Sequence, residues 1–160
     1  MEVVLLKKFF AMLLSGLAVI LTLSSMAIAL DPAAEFIGAV TGSRAKFYIP
    51  LVKAKAAKYG IPPLIVAKMI YFESHFDPHC RSPYGYIGLM QLNPGHARRG
   101  EDLRDPADNI EAGCRLLAAY HRRMGGDWHR ALSAYSHGPN MVASRGLYRT
   151  RYSRRILGNK

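Results

Sequence analysis

The chain has 160 residues, room for one domain with its own core and too few for two of ordinary size. Half the residues are apolar and 21% are charged, which excludes a disordered chain, and Gly 14 with Pro 9 shows no collagen-like or linker-like repeat. The 22 basic against 11 acidic side chains, net +11, point to anionic partners.

Residues 1–29 read as an export signal. Lys7 and Lys8 precede an apolar stretch from Phe9 through Leu23, followed by Ser24, Ser25 and Ala27-Ile28-Ala29, a small-residue pattern suited to cleavage after Ala29. The alternative is a retained anchor, but Ser15, Gly16 and Thr22 dilute the ~20 apolar residues that a bilayer span requires. Cleavage leaves 131 residues at net +10, so the basic character belongs to the folded part. The expected location is the periplasm or cell envelope. No zinc-finger spacing or aromatic RNA-binding signature is present, so anionic envelope polymers, and no nucleic acid, are the expected partners. In an exported chain the two cysteines, Cys80 and Cys114, read as a disulfide closing 34 residues, worth about 3–4 kcal/mol. A metal site would need C-x-x-C or H-E-x-x-H spacing, which the sequence lacks, so no metal is expected.

Residues 30–47, with Gly38, Gly42 and Ser43, read as a tether or weak helix ahead of the domain proper at 48–160. Ile49, Val52, Ala56 and Tyr59 then recur at helical spacing up to Gly60. Pro62-Pro63 opens a second helix whose residues from Leu64 to Phe72 are apolar almost all round, which requires burial. Residues 77–104 are too irregular to assign. Asp105-Pro106 starts a long helix with Ile110, Cys114, Leu117, Tyr120 and Met124 on one stripe, ended by Gly125-Gly126. Asp127 caps a helix with Trp128, Ala131, Leu132 and Tyr135 on one face, and Gly138-Pro139 stops it. Tyr148, Tyr152 and Ile156 lie at i, i+4 and i+8 on a basic C-terminal helix. The fold class is mainly α.

The second helix carries one acid in the wrong place for an ordinary surface residue. Val66, Met69, Ile70 and Glu73 fall at i, i+3, i+4 and i+7, so Glu73 lies on an apolar stripe. A carboxyl buried without a cation favours its protonated form, which a general acid near neutral pH needs. The ordinary alternative is a Glu that leans into solvent from the last turn.

Around this acid stand Glu73-Ser74-His75-Phe76-Asp77-Pro78, then Ser82-Pro83-Tyr84-Gly85-Tyr86-Ile87-Gly88-Leu89-Met90-Gln91, and later Ala134-Tyr135-Ser136-His137-Gly138-Pro139. In this order and spacing the segments resemble the lytic transglycosylase family with a goose-lysozyme-like catalytic domain, over about Tyr48 to Leu157. The resemblance implies a single lysozyme-like α domain that cleaves peptidoglycan between N-acetylmuramic acid and N-acetylglucosamine, with no metal or organic cofactor. It implies Glu73 as the sole catalytic acid, Ser82 and Gln91 as sugar contacts, and Tyr135 beside Glu73, orienting it or the substrate. For Tyr135 the helical spacing also allows a hydroxyl that simply finds a buried partner. Ser74 supports the local turn, and Gly88 and Gly85 keep the groove or the loop free of a side chain.

Ordinary glycosidases pair two carboxyls, and no second acid stands in these motifs except Asp77, before Pro78 in a turn. Ring closure by the substrate's own C6 hydroxyl removes the need for a second acid and gives a 1,6-anhydro product. Two other readings stay open: a hydrolytic muramidase on the same fold, and a catalytically silent wall-binding or assembly module. The sequence departs from the family at Ser136, where Asn is usual, at His137, where a small residue is usual, and at Asn93, where Met is common. The basic tail, Arg145, Arg149, Arg151, Arg154, Arg155 and Lys160, reads either as a solvated face or, with Arg98, Arg99, Arg122 and Arg123, as a contact to anionic wall or membrane. A stand-alone enzyme of this kind suits local wall opening for an envelope-spanning secretion or conjugation complex, which the sequence does not name.

Overall fold

The computed structural model describes residues 31–158; the expected export signal and Lys160 lie outside the described residues. Seven helices are seen among them: α1 (Pro32–Thr41), α2 (Ile49–Lys58), α3 (Pro63–Ser74), α4 (Pro106–Arg123), α5 (Trp128–His137), α6 (Pro139–Arg145) and α7 (Arg151–Leu157), with 3₁₀ turns at Lys46–Tyr48 and Pro94–His96. None of the helices is long and apolar enough to cross a membrane.

α3 is the element around which the others are placed. Its apolar surface contacts α1, α2 and α7, and Val66, Met69 and Ile70 are wholly buried, as its composition requires. α4 packs on α2 and α5 through the expected stripe, with Ile110, Cys114 and Leu117 fully buried. The caps read from sequence are made. Asp105 accepts from the N–H groups of Ala107 and Asp108, and Asp127 accepts from Arg130 N–H.

Two segments are more ordered than their sequence suggests. Residues 32–41 form a helix rather than a tether, with Ala33, Ile37 and Thr41 at four-residue spacing buried on one side. Pro139, expected to end a helix, also begins one: α5 stops at Gly138, where φ is 84°, and α6 starts at the next residue with Pro in its first turn, where its missing N–H costs nothing. The irregular stretch 77–104 holds two isolated bridges, Arg81 with Ile87 and Ile87 with Leu92, and the short Pro94–His96 turn, yet Leu89, Met90 and Leu92 are core residues.

The expected Cys80–Cys114 bridge is not made; both are free thiols. Cys114 sits on the inward stripe of α4, where burial pushes its thiol up to about 12. Cys80 belongs to the loop after α3 and lines a small pocket with Pro78, Arg81, Ile87 and Arg104, to which Cys114 does not contribute. Its carbonyl is tied instead to Gly88 N–H and to the Gln91 amide.

Candidate active site

Glu73 occupies the last turn of α3, which ends in His75 at φ 52° and Phe76 at φ 64°, two consecutive non-glycine residues in the left-handed region. This sharp exit turns the chain away from the carboxyl at once. The Glu73 side chain is half-buried, and Oε1 accepts a hydrogen bond from Tyr152 Oη at 2.5 Å. No cation pairs with it among the described ion pairs. Burial raises its pKa above the ordinary 4.5, and the Tyr152 hydroxyl, which favours the ionised form, pulls it part of the way back.

A second acid on the inner side of the fold shows what Glu73 lacks. Glu111 of α4 is buried, and there Lys55 Nζ lies 2.8 Å from Oε2, and Lys58 Nζ and Tyr59 Oη each lie 2.5 Å from Oε1. Burial alone would raise its pKa; the hydrogen bonds from Lys55, Lys58 and Tyr59 outweigh it and hold the carboxyl at about 2. Glu111 is therefore a permanently ionised structural anchor, and Glu73 is the carboxyl suited to carrying a proton.

Opposite Glu73 the loop 87–92 is fixed by one fully buried amide. Asn109 Oδ1 accepts from Met90 N–H at 2.8 Å, and Nδ2 donates to Ile87 O and Leu103 O, both at 2.9 Å. Gly88 lies against this amide at φ 75°; a Cβ there would meet Asn109 Nδ2 at 2.3 Å and Leu103 O at 2.8 Å. The glycine is thus required by the loop's own packing, whereas the family resemblance left groove and loop as alternatives. Ser74 Oγ, buried, lies 2.9 Å from Leu89 O and 3.1 Å from Ile70 O, joining the end of α3 to the same loop.

The remaining expected residues fall into two groups. Gln91 and Tyr135 are brought together in a cleft of about 320 Å³, with Tyr86, Asn93, His96 and His137 among its walls. Gln91 Nε2 is engaged with Cys80 O and Gly88 O at 3.1 and 3.0 Å, which leaves Oε1 as its acceptor. Tyr135 Oη donates to Met90 O at 2.9 Å, not to Glu73. Burial, followed by the nearby Glu73 charge, raises its phenol well above 10, so Tyr135 remains a neutral donor. Ser82 is not among the cleft residues: its hydroxyl accepts from Tyr86 N–H at 3.1 Å and closes the 82–86 turn. A larger groove of about 620 Å³, lined by residues such as Arg44, Phe47, Tyr71 and His75, contains none of the residues expected to touch sugar. The smaller cleft is therefore the one that holds expected sugar contacts, and Glu73 is not among the residues that line it.

Two residues that matter here were not singled out from sequence. Tyr152 stands in the i, i+4, i+8 stripe of the C-terminal helix, and only the docking of α7 onto α3 and α5 brings its hydroxyl to Glu73. Asn109 is the first buried residue of α4, and a polar residue facing inward beside Ile110 was the available signal.

A sequence model of the family described as Transglycosylase SLT domain matches residues 50–157. A membrane-bound lytic murein transglycosylase C from Actinobacillus pleuropneumoniae serotype 5b (strain L20) is 38% identical over 88 residues, 47% of this chain and 24% of the relative. A transglycosylase of Enterobacteria phage PRD1 is 34% identical over 110 residues, covering 68% of this chain and 41% of that protein. Among solved structures, the 70 kDa soluble lytic transglycosylase of Escherichia coli superposes with TM-score 0.57 at 29% identity, over 61% of this chain and 18% of that one. The chain thus spans less than half the length of these proteins.

Proposed function

Given that the chain belongs to the SLT transglycosylase family, we propose that it is a peptidoglycan lytic transglycosylase in which Glu73 acts alone, first as acid and then as base. The observation that supports this most is a motif-matched, half-buried carboxyl with a raised pKa and no cation among the described ion pairs, in contrast to the doubly lysine-paired Glu111.

In the first step protonated Glu73 gives its proton to the glycosidic oxygen between N-acetylmuramic acid and N-acetylglucosamine as the C1–O bond breaks, and the substrate's acetamido oxygen supports the cationic C1. The carboxylate so formed is stabilised by the Tyr152 hydroxyl, which stays protonated because burial and the Glu73 charge raise its own pKa well above 10. In the second step Glu73 takes the proton from the C6 hydroxyl as that oxygen bonds to C1, closing the 1,6-anhydro ring and restoring the neutral acid. Intramolecular attack has an effective molarity of up to ~10⁵ M or more, so a site poor in water favours ring closure over hydrolysis. Gln91 and Tyr135 border the bound sugar, and Asn109, Ser74 and Gly88 hold the loop that presents them.

Digestion of purified sacculi by wild type and Glu73→Gln, read by mass spectrometry, tests the reading. Anhydro-muramic ends, one water lighter than reducing ends, are expected from wild type, with a loss of about 10²–10⁴ in rate for the variant. Reducing ends would make the protein a hydrolytic muramidase, and an unchanged rate would remove Glu73 from the chemistry.

The proposed setting is the cell envelope, in keeping with the export signal read at residues 1–29 and the membrane-bound relative. Among the described residues the basic side chains of α7 have no acidic partner: Arg154 donates to Arg149 O and Arg155 lies over the Phe72 ring. This surface is the proposed contact to anionic wall or lipid, and wall retention is expected to fall as salt is raised.

A further inference from the structure

Asn93 and His137 both line the smaller cleft, both depart from the family's motifs, and neither takes part in the chemistry above. Each has one polar atom already committed inside the protein. Asn93 Oδ1 accepts from Gly95 N–H at 2.9 Å and closes the Pro94–His96 turn, so its remaining polar atom is Nδ2, which can only donate.

The state of His137 follows from Ser136. His137 Nδ1 lies 2.7 Å from Ser136 Oγ, and the same oxygen lies 3.3 Å from Leu132 O and 3.2 Å from Ser133 O. A hydroxyl has one proton to give. If it went to the imidazole, two carbonyl oxygens would face a bare oxygen with no proton between them. If it goes to the helix carbonyls, every contact has a donor, and His137 Nδ1–H donates to Ser136 Oγ. The neutral ring then presents Nε2 as an acceptor. Within the described residues no hydrogen bond takes up Asn93 Nδ2 or His137 Nε2.

One cleft therefore offers a fixed donor and a fixed acceptor, and none of its lining residues is Asp, Glu, Lys or Arg. A secondary amide has the complementary pair, one N–H and one C=O on opposite sides of a planar trans group. Resting on the glycan reading above, we propose that Asn93 and His137 clamp one N-acetyl group of the strand, Asn93 Nδ2 donating to its carbonyl oxygen and His137 Nε2 accepting from its N–H. Ser136 is the positioning residue that fixes the imidazole tautomer. A lactyl carboxylate would find no cation here, and a ring hydroxyl, free to rotate, would not need a fixed tautomer.

The test is calorimetric binding of the N-acetylglucosamine tetramer and of its fully deacetylated counterpart to the full chain carrying Glu73→Gln, which prevents turnover. Asn93→Asp keeps the turn-closing oxygen and loses the donor; His137→Phe loses the acceptor. Each is expected to weaken the acetylated tetramer by roughly 3–10-fold without weakening the deacetylated one. His137→Gln, which returns an acceptor near the Nε2 position, is expected to recover most of the loss. Nitrogen-15 NMR of the unsubstituted chain should find the neutral His137 proton on Nδ1, and Ser136→Ala should redistribute it. A proton on Nε2, or unchanged acetylated binding in both variants, overturns the clamp and leaves the glycan reading standing. Failure of the acetylated tetramer to bind overturns the clamp as well, while anhydro products from sacculi decide the glycan reading independently.

Discussion

Gly88 and Asn109 should fail together if one buried amide organises the loop beside Glu73. Asn109→Ala removes three hydrogen bonds and leaves Met90 N–H buried without a partner, since its only acceptor is Asn109 Oδ1. At about 1 kcal/mol per bond, with a further 1–3 for the stranded donor, the cost is roughly 4–6 kcal/mol. Gly88→Ala places a Cβ 2.3 Å from Asn109 Nδ2 at a φ of 75°. The left-handed backbone costs about 1–2 kcal/mol, and pushing the amide aside forfeits much of what the Asn109 variant loses. With the amide already gone, the nearest of these clashes is relieved although the added methyl group still meets Leu103 O, so the double variant should be less destabilised than the sum by about 2 kcal/mol or more. Urea unfolding of the four proteins measures this directly. Additivity within about 0.5 kcal/mol would show that the two positions do not share one network and would refute the account of the loop.

Tyr152→Phe removes the hydrogen bond that favours ionised Glu73, so the alkaline limb of kcat/KM should move to higher pH while kcat falls; a limb that stays in place would separate Tyr152 from the acid. Glu73→Gln should stabilise the fold at pH 7. A raised folded pKa means that wild type loses stability as pH rises from 4.5 through that value, so denaturation should show the gain vanishing below pH 4.5. Glu111→Gln should do the reverse. Its depressed pKa of about 2 gives stability that is full above 4.5 and lost as pH falls through 2, so the variant's deficit, about 2 kcal/mol at pH 7, should shrink toward zero at pH 2. Thiol titration of the unfolded chain should count two free cysteines without reductant, and the folded chain should hide Cys114.

What the sequence reveals here depends on whether a signal is local. The caps at Asp105 and Asp127, the all-round apolar α3 and the stripe of α4 are set by neighbours within a turn or two, and each is found where its pattern places it. α1 was obscured because Gly38 and Gly42 dilute a stripe of only three inward residues. Tyr135 has two legitimate uses for its hydroxyl, and spacing cannot choose between them; the loop that brings Met90 O within 2.9 Å does. Tyr152 and Glu73 are 79 residues apart, and nothing in either segment encodes the other. The cysteine pair misled for the same reason, because parity and compartment suggest a bridge whereas only the direction in which α4 faces decides whether the thiols meet.

Raising the pKa of Glu73 has a cost that its own helix can bear. Partly withdrawing a carboxyl from water without a cation penalises its charged form and so favours the protonated one. Even the protonated group must be held in place by something other than itself. Val66, Met69 and Ile70, wholly buried on the same stripe, supply roughly 5–9 kcal/mol of transfer free energy, enough to fix the last turn of α3 where it is. Tyr152 adds a hydrogen bond that either protonation state can accept, so the carboxyl need not move when its proton leaves. A lysine in that position would bind the carboxylate more tightly and, as at Glu111, would leave no proton to give. In the proposed mechanism, a phenol rather than an ammonium beside Glu73 is what would allow a single acid to serve both halves of a two-step reaction.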